Sequence, residues 1–360
     1  MAEPYQFIDI AARGEGIVAA AFANQVAYCR AARATVTARV CAALGALVER
    51  GAGGAVLARV QGWPGAPLAD ALPLRLAGGL HALHLSGAAP ALAPIYADAP
   101  GVDDMAVVGA VLLAHEAALL PWLDGPPQTN EAGRSANFIA ARVWLAGQGL
   151  PARFECLEIG SSAGINLMLG RYRYEVGGQS IGPQGAAMRI GPEWQGAPLP
   201  AAPITIASAR GCDVAPVDLI DPAQALRLKA YIWPEHTERF VRLEAAIAEA
   251  QRSPPEIADQ NAADFIEAVL ARPQAEGTTR VLMHSIVWQY VPQDQQARVT
   301  AAMEAAGARA TAQRPLAWIA LEANRVLHRH ELVVRHWPGD GAPHLLARAH
   351  PHGAQIAWLA

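Results

Sequence analysis

The stretch Phe154–Leu169 constrains this chain more than any other. Phe154–Ile159 (FECLEI) is a short apolar run with strand character. It passes directly into Gly160-Ser161-Ser162-Ala163-Gly164, and then into apolar residues that read as the start of a helix. Glycines at both ends of so tight a turn permit backbone conformations that other residues avoid, and they let a ligand approach the main chain. The N–H groups of the following helix would face that ligand. A strand, a glycine turn and a helix start in this order predict the opening of an α/β domain that binds a nucleotide-type cofactor at the turn.

The pattern on either side agrees with a change of architecture near residue 150. Residues 1–150 read as a helical N-terminal region. Ile17–Arg33 and Thr35–Arg50 carry apolar residues at three- and four-residue spacing, and Gly51, Gly53 and Gly54 end the run. Asp103–Leu120 is a further helical stretch stopped by Pro121, and Asn130 is placed to cap a helix from Glu131 to about Ala146. Beyond Phe154 the runs 203–209 (PITIASA), 280–286 (RVLMHSI) and 316–321 (LAWIAL) read as strands, with helices at 223–231, 237–251 and 294–306 between them. That alternation predicts a mostly parallel sheet over residues 151–360. The last two runs, 331–337 and 354–359, are separated by Gly/Pro-rich loops without a helix, so they are expected to pair antiparallel. The N-terminal helices would form either a separate layer or a cap over the sheet's active edge.

Composition narrows the function classes. Hydrophobic residues make up 52% and charged residues 17% of the 360, enough for a sizeable core. The net charge of −4 and the absence of basic runs argue against a nucleic-acid partner. The longest stretch free of Asp, Glu, Lys and Arg, residues 76–97, is interrupted by glycines, histidines and prolines and makes a poor membrane span. The start, MAEPYQFIDIAARGEG, lacks the basic and apolar blocks of a signal peptide. Cys29, Cys41, Cys156 and Cys212 form no CxxC pair; the last two fall in or beside strands, where a buried thiol is expected. A cytoplasmic protein acting on a small molecule, without a metal, is the expectation.

Several side chains gather around this framework in sequence. Glu158 at the strand's end can accept hydrogen bonds from an amine or hydroxyls. The second strand runs into Gly211-Cys212-Asp213, where a carboxylate suits the two hydroxyls of a diol. Residues 171–200, with Tyr172 and Tyr174, read as an insertion. Asp259 and Asn261 follow farther along the chain, with Asp264 as a candidate helix cap before residues 265–270. His284 ends a parallel strand, where its ordinary pKa suits proton transfer. Trp288 and Tyr290 follow as pocket walls or core aromatics. Asn130 and Arg134 sit near a helix start, and Arg134 could bind a carboxylate. His350-Pro-His352-Gly353 reads as a loop rather than a metal site. The turn also matches the Gly-x-Ser-x-Gly pattern of a hydrolase elbow, with Ser162 as nucleophile, His284 or His236 as base and Asp213 or Asp221 as acid. No earlier strand and no oxyanion motif accompany it. The Gly-x-Gly-x-x-Gly dinucleotide pattern fails at Ser162 and Ile165.

The strings QTNEAGRSA, LEIGSSAGINL, RGCDVAPVDL, YIWPEH, HSIVWQYVP, PLAWIALE and AHPHG resemble those of a bacterial family known as domain of unknown function 2332, from about residue 5 to the C-terminus. Through Glu158–Gly164 and Asp213 the chain is also similar to class I S-adenosylmethionine-dependent methyltransferases, with Ser162 in place of the central glycine. The resemblance implies a Rossmann-like, methyltransferase-type sheet of seven strands, the seventh being a further strand near 256–259. It implies S-adenosylmethionine held by Glu158, Gly160, Ser161, Ser162, Gly164 and Asp213, with Asp259 or Asn261 on the adenine. Asn130, Arg134, Trp288 and Tyr290 would shape a small-molecule acceptor site, and His284 would deprotonate the acceptor. A non-catalytic binding protein on the same scaffold is the further alternative.

Overall fold

The computed structural model describes residues 11–14, 16–51 and 53–360. The first ten residues, which carry most of the signal-peptide reading, lie outside these. By internal contacts the chain divides into a unit of residues 1–129 with 222–240, and a unit of residues 130–221 with 241–360.

The first unit is helical. It holds α1 (Ile17–Ala31), α2 (Thr35–Glu49), α3 (Ala55–Gln61), α4 (Leu72–Leu85), α5 (Ala93–Tyr96), α6 (Asp104–Ala114) and α7 (Glu116–Leu119). Phe22, Leu44, Leu72, Leu76, Leu80, Leu92 and Ile95 form its buried centre. The stretch expected as one helix over 103–120 breaks at His115, whose φ of −123° leaves the helical region. The Glu116 carboxylate just beyond the break accepts a hydrogen bond from the Ala55 N–H, at the start of α3. The segment 222–240 belongs with this unit because α4 carries Gly78 and Gly79 on one face. A Cβ at Gly78 would lie 2.8 Å from the Tyr231 ring, so only glycine lets that ring seat against the helix. His81 Nδ1 also meets the Ala230 carbonyl at 3.0 Å. Among the described residues no single helix is long and apolar enough to cross a membrane, although α6 and Glu116–Leu123 together pass that test with an 88° bend between them.

The second unit is built on a nine-stranded sheet with a small three-stranded one beside it. In chain order the strands are β1 (Arg153–Ile159), β2 (Arg173–Val176), β3 (Gln179–Ile181), β4 (Arg189–Ile190), β5 (Glu193–Gln195), β6 (Thr205–Asp213), β7 (Glu256–Asp259), β8 (Thr279–Ser285), β9 (Leu316–Asn324), β10 (Arg329–Trp337), β11 (His344–Ala349) and β12 (Gln355–Trp358). The large sheet runs β5-β12-β11-β10-β9-β8-β1-β6-β7. From β7 to β9 all neighbours are parallel. The fold is therefore α/β with a mostly parallel sheet, and β7 is the further strand anticipated near 256–259. The runs at 331–337 and 354–359 do not pair with each other. Each pairs antiparallel with β11, which lies between them. β11 and β5 escape a reading by pattern because both are short and flanked by Gly/Pro-rich turns. The insertion after residue 171 supplies β2, β3 and β4 of the small sheet, then β5 at the edge of the large one.

Helices cover both faces of the parallel part. After α8 (Ser135–Gly147), α9 (Pro222–Ala230) and α10 (Thr237–Arg252) come α11 (Ala262–Leu270) and α12 (Gln293–Gly307). Side chains alternate along a strand, so β1 sends Leu157 and Ile159 to one face and Cys156 and Glu158 to the other. Leu157 and Ile159 join Phe265, Ile266, Val299, Met303 and Leu282 under α11 and α12. On the opposite face α8 buries Arg142, whose Nη2 contacts Cys156 Sγ and Met283 Sδ, each at 3.1 Å. That contact explains why α8 falls in the sheet's unit, so that the unit begins at residue 130 rather than 151. Every residue of β8 is buried, as befits a central parallel strand. Leu282→Ala is expected to lower stability by about 2–5 kcal/mol, read from the urea midpoint; an unchanged midpoint would contradict this packing.

Candidate functional site

The parallel strands follow the spatial order β7-β6-β1-β8-β9, which is 3-2-1-4-5 in order of appearance. The chain moves outward from β1 to β6 and β7, then returns to the other side at β8. In open α/β sheets a ligand sits outside the carboxyl ends of the strands at this reversal. Gly160, Asp213 and the loop after Ser285 meet that description.

The turn after β1 is fastened mainly by β6. Gly160, Ser162 and Gly164 all have left-handed backbones, with φ of 65°, 51° and 69°. Two of the three are glycine; for Ser162 the conformation costs about 1–2 kcal/mol. It is held because the Ser162 N–H donates to Asp213 Oδ2 at 2.8 Å and the Ser162 carbonyl accepts from the Val217 N–H at 3.1 Å. Ser161 donates its N–H to the Cys212 carbonyl at 2.9 Å and its hydroxyl to the Glu158 carbonyl at 3.1 Å. The glycines are needed by the protein itself. A Cβ at Gly160 would lie 2.2 Å from Val287 Cγ2, and one at Gly164 would lie 2.8 Å from Pro255 and Ile257. Beyond the turn the chain forms a 3-10 helix, Ile165–Arg171, where an α-helix start was expected. Asn130 caps it rather than its own helix, its Oδ1 accepting from the Ile165 N–H at 2.8 Å. Tyr172 and Tyr174, both buried, donate to the Ile165 and Leu169 carbonyls and hold it from below. So short and tight a helix focuses less field on a ligand than an α-helix would.

Glu158 is buried, 1% exposed. One carboxylate oxygen accepts from Asn166 Nδ2 at 3.1 Å. Burial pushes its pKa up to about 8, against the opposing pull of that hydrogen bond and of Arg134 and Arg142. Glu158 Oε2, Ser162 Oγ and Asn166 Oδ1 are buried without a hydrogen bond from the protein. Three unpartnered polar atoms within nine residues of chain is a concentration that folded proteins rarely tolerate, and it calls for a polar partner. Asp213 ends β6 as expected; its Oδ1 accepts from the Ala215 N–H at 2.9 Å. It stands in register with Asp259 at the end of β7. Asp259 is exposed, whereas Asn261 caps α11 by accepting from the Asp264 N–H at 2.9 Å. The cap is therefore Asn261 rather than Asp264.

The expected base is not placed to act. Trp318 Nε1 donates to His284 Nε2 at 2.9 Å, and His284 Nδ1 meets Glu322 Oε1 at 2.7 Å. An indole N–H can only donate, so Nε2 is an acceptor and Nδ1 carries the proton. The ring is 1% exposed and stacks on Trp288 at 5.1 Å. Both nitrogens are thus spent inside the protein. Trp288 is half-buried beside it, and Tyr290 is 74% exposed. Arg134 is buried and donates from Nε to the Pro351 carbonyl at 2.8 Å, in the His350–Gly353 loop. Ser162 Oγ is buried without a hydrogen-bond partner, and both oxygens of Asp213 accept backbone N–H groups. A cavity of about 480 Å³ opens elsewhere, along the amino-terminal half of β6. Its lining is of mixed polarity, and its one charged lining residue, Arg171, pairs with Glu249.

Glu322, Asn166 and Trp318 were not singled out from sequence. Glu322 closes the string PLAWIALE and Glu158 stands next to last in FECLEI, each an acid near the end of an apolar strand run, and that likeness was the available signal.

Because folding raises the Glu158 pKa, its protonated form is the one the native state favours. Its contribution to stability is complete below about pH 4.5 and is lost as pH rises through about 8. Relative to Glu158→Gln, the wild type should lose up to about 1.4 kcal/mol per pH unit across that window. Denaturation curves for both proteins from pH 5 to 9 check this; parallel pH profiles would contradict it.

No curated protein and no solved structure matches the chain. The family profile described as "Uncharacterized protein conserved in bacteria (DUF2332)" matches residues 19–358, and the chain belongs to that family.

Proposed function

We propose that this chain is a small-molecule methyltransferase that binds S-adenosylmethionine where β1, β6 and β8 end, and that it works in the cytoplasm. The observation that carries the reading is the pairing of Glu158, buried with an oxygen lacking any donor, with Asp213 across a left-handed turn at the sheet's reversal point. The residues fit the chemistry of the cofactor. Asn166 Oδ1, Ser162 Oγ and Glu158 Oε2, the last in the ionised form that a neighbouring cation favours, would accept the hydrogens of an ammonium group. A carboxylate has about four acceptor positions, so Asp213 can hold its two backbone N–H groups and still accept from a ribose diol. Asp259, exposed beside it, is better placed than Asn261 to reach the adenine amine. When bound, the group supplies a methyl on a sulfonium, an electrophile that needs no further activation.

With His284 engaged on both nitrogens, the reading assigns it to positioning and gives it no proton transfer. Catalysis then rests on orienting an acceptor against the methyl group. Trp288 and Tyr290, in the loop after β8, would form part of the acceptor's wall. The free, buried state of all four cysteines suits the cytoplasm.

Calorimetric titration with S-adenosylmethionine and S-adenosylhomocysteine tests the reading. Micromolar binding is expected, weakened at least about tenfold (about 1.4 kcal/mol) by Asp213→Asn, which also lowers the melting temperature because Asn has one acceptor oxygen for the two backbone N–H groups that Asp213 holds. No heat at millimolar ligand would remove the cofactor and the proposed activity with it.

A further inference from the structure

Gly160 faces Val287, and the loop that carries Val287 is held in an unusual way. Ile286, a β-branched residue, has a left-handed backbone with φ of 52°. Its N–H still donates to the Leu321 carbonyl at 3.0 Å, so the departure from β8 is fixed on that side. The next two amides, of Val287 and Trp288, both donate to Glu322 Oε1, at 3.1 and 3.2 Å. The same oxygen is the partner of His284 Nδ1. One carboxylate oxygen thus gathers three donors from the end of β8 and the loop beyond it. Trp318 completes the set by fixing the other side of the His284 ring.

From this geometry we infer that Glu322 is a positioning residue that latches the loop 286–288, and that Val287 is a lid over the glycine turn. The Val287 side chain fills the space at Gly160 through which a ligand would approach the main chain, and the latch holds it there. Binding at the turn requires the loop to swing outward, which releases the left-handed strain at Ile286 as the two amide bonds to Glu322 break. His284, deprived of free nitrogens, contributes by keeping Glu322 oriented. This inference rests on the proposed cofactor site for what the lid admits, but the latch itself can be measured without ligand.

The ligand-free measurement is amide hydrogen exchange on the whole chain. In Glu322→Ala the amides of Val287 and Trp288 should exchange at least tenfold faster, while those of Leu157 and Leu282 in β1 and β8 keep their wild-type protection. Glu322→Gln, which retains an acceptor oxygen, should fall between the two. Unchanged exchange at Val287 and Trp288 in Glu322→Ala would overturn the latch. The second measurement is affinity for S-adenosylhomocysteine: Val287→Ala should bind at least tenfold more tightly than the wild type, and equal or weaker binding would overturn the lid. If neither protein binds, the cofactor reading fails and the lid for that cofactor with it. The exchange result then still decides the latch by itself.

Discussion

The 2.8 Å hydrogen bond from the Ser162 amide to the Asp213 carboxylate joins the turn after β1 to the end of β6. The turn needs that support. Three of its five residues are left-handed, and the middle one carries a side chain that disfavours the conformation. A neutral acceptor would bind the amide less strongly than a carboxylate does. Once Ser162 is held, Gly160 and Gly164 follow, and Asn130 and Tyr172 can grip the chain at Ile165. Position on the sheet does the rest, since the reversal of strand order brings the loops of β6, β1 and β8 to one edge.

The same edge concentrates electrostatic tension. Glu158 is buried between an amide and the fields of two arginines, yet desolvation dominates and keeps its carboxyl protonated more readily than usual. A buried group with an unmet acceptor costs about 1–3 kcal/mol. Stability is therefore given up where a donor ligand would restore it. By contrast His284, Glu322 and Trp318 are mutually satisfied and act as scaffold. The edge thus holds one polar cluster with unmet atoms and one whose members satisfy each other.

Much of this was legible in the sequence because it rests on local rules. The turn at 160–164, the acid ending β6 and the parallel strands β1, β6, β8 and β9 follow from glycine placement and alternation of strand with helix, whereas the strand at 256–259 came only from the family resemblance. What was hidden depends on contacts far apart in the chain. Asn130 reads as the cap of the helix next to it, but it serves Ile165, thirty-five positions away. His284 at a strand's end reads as a free base, and only the approach of Trp318 and Glu322 from β9 shows both nitrogens engaged. The 3-10 form of Ile165–Arg171 is set by buried tyrosines of the insertion, whose effect on the helix no periodicity reveals. Residues 222–240 return to the helical unit through glycines of α4 that, in sequence, merely weaken an apolar stretch.

The central claim is that the ligand lies at the turn between β1 and β6. A crystal structure of the full chain grown with S-adenosylhomocysteine tests it most directly. The account predicts density whose ammonium approaches Glu158 Oε2 and Asn166 Oδ1, whose ribose meets Asp213, and whose entry has displaced Val287 from Gly160. Ligand density elsewhere, for example in the cavity along β6, with the turn and Val287 unchanged, would contradict it.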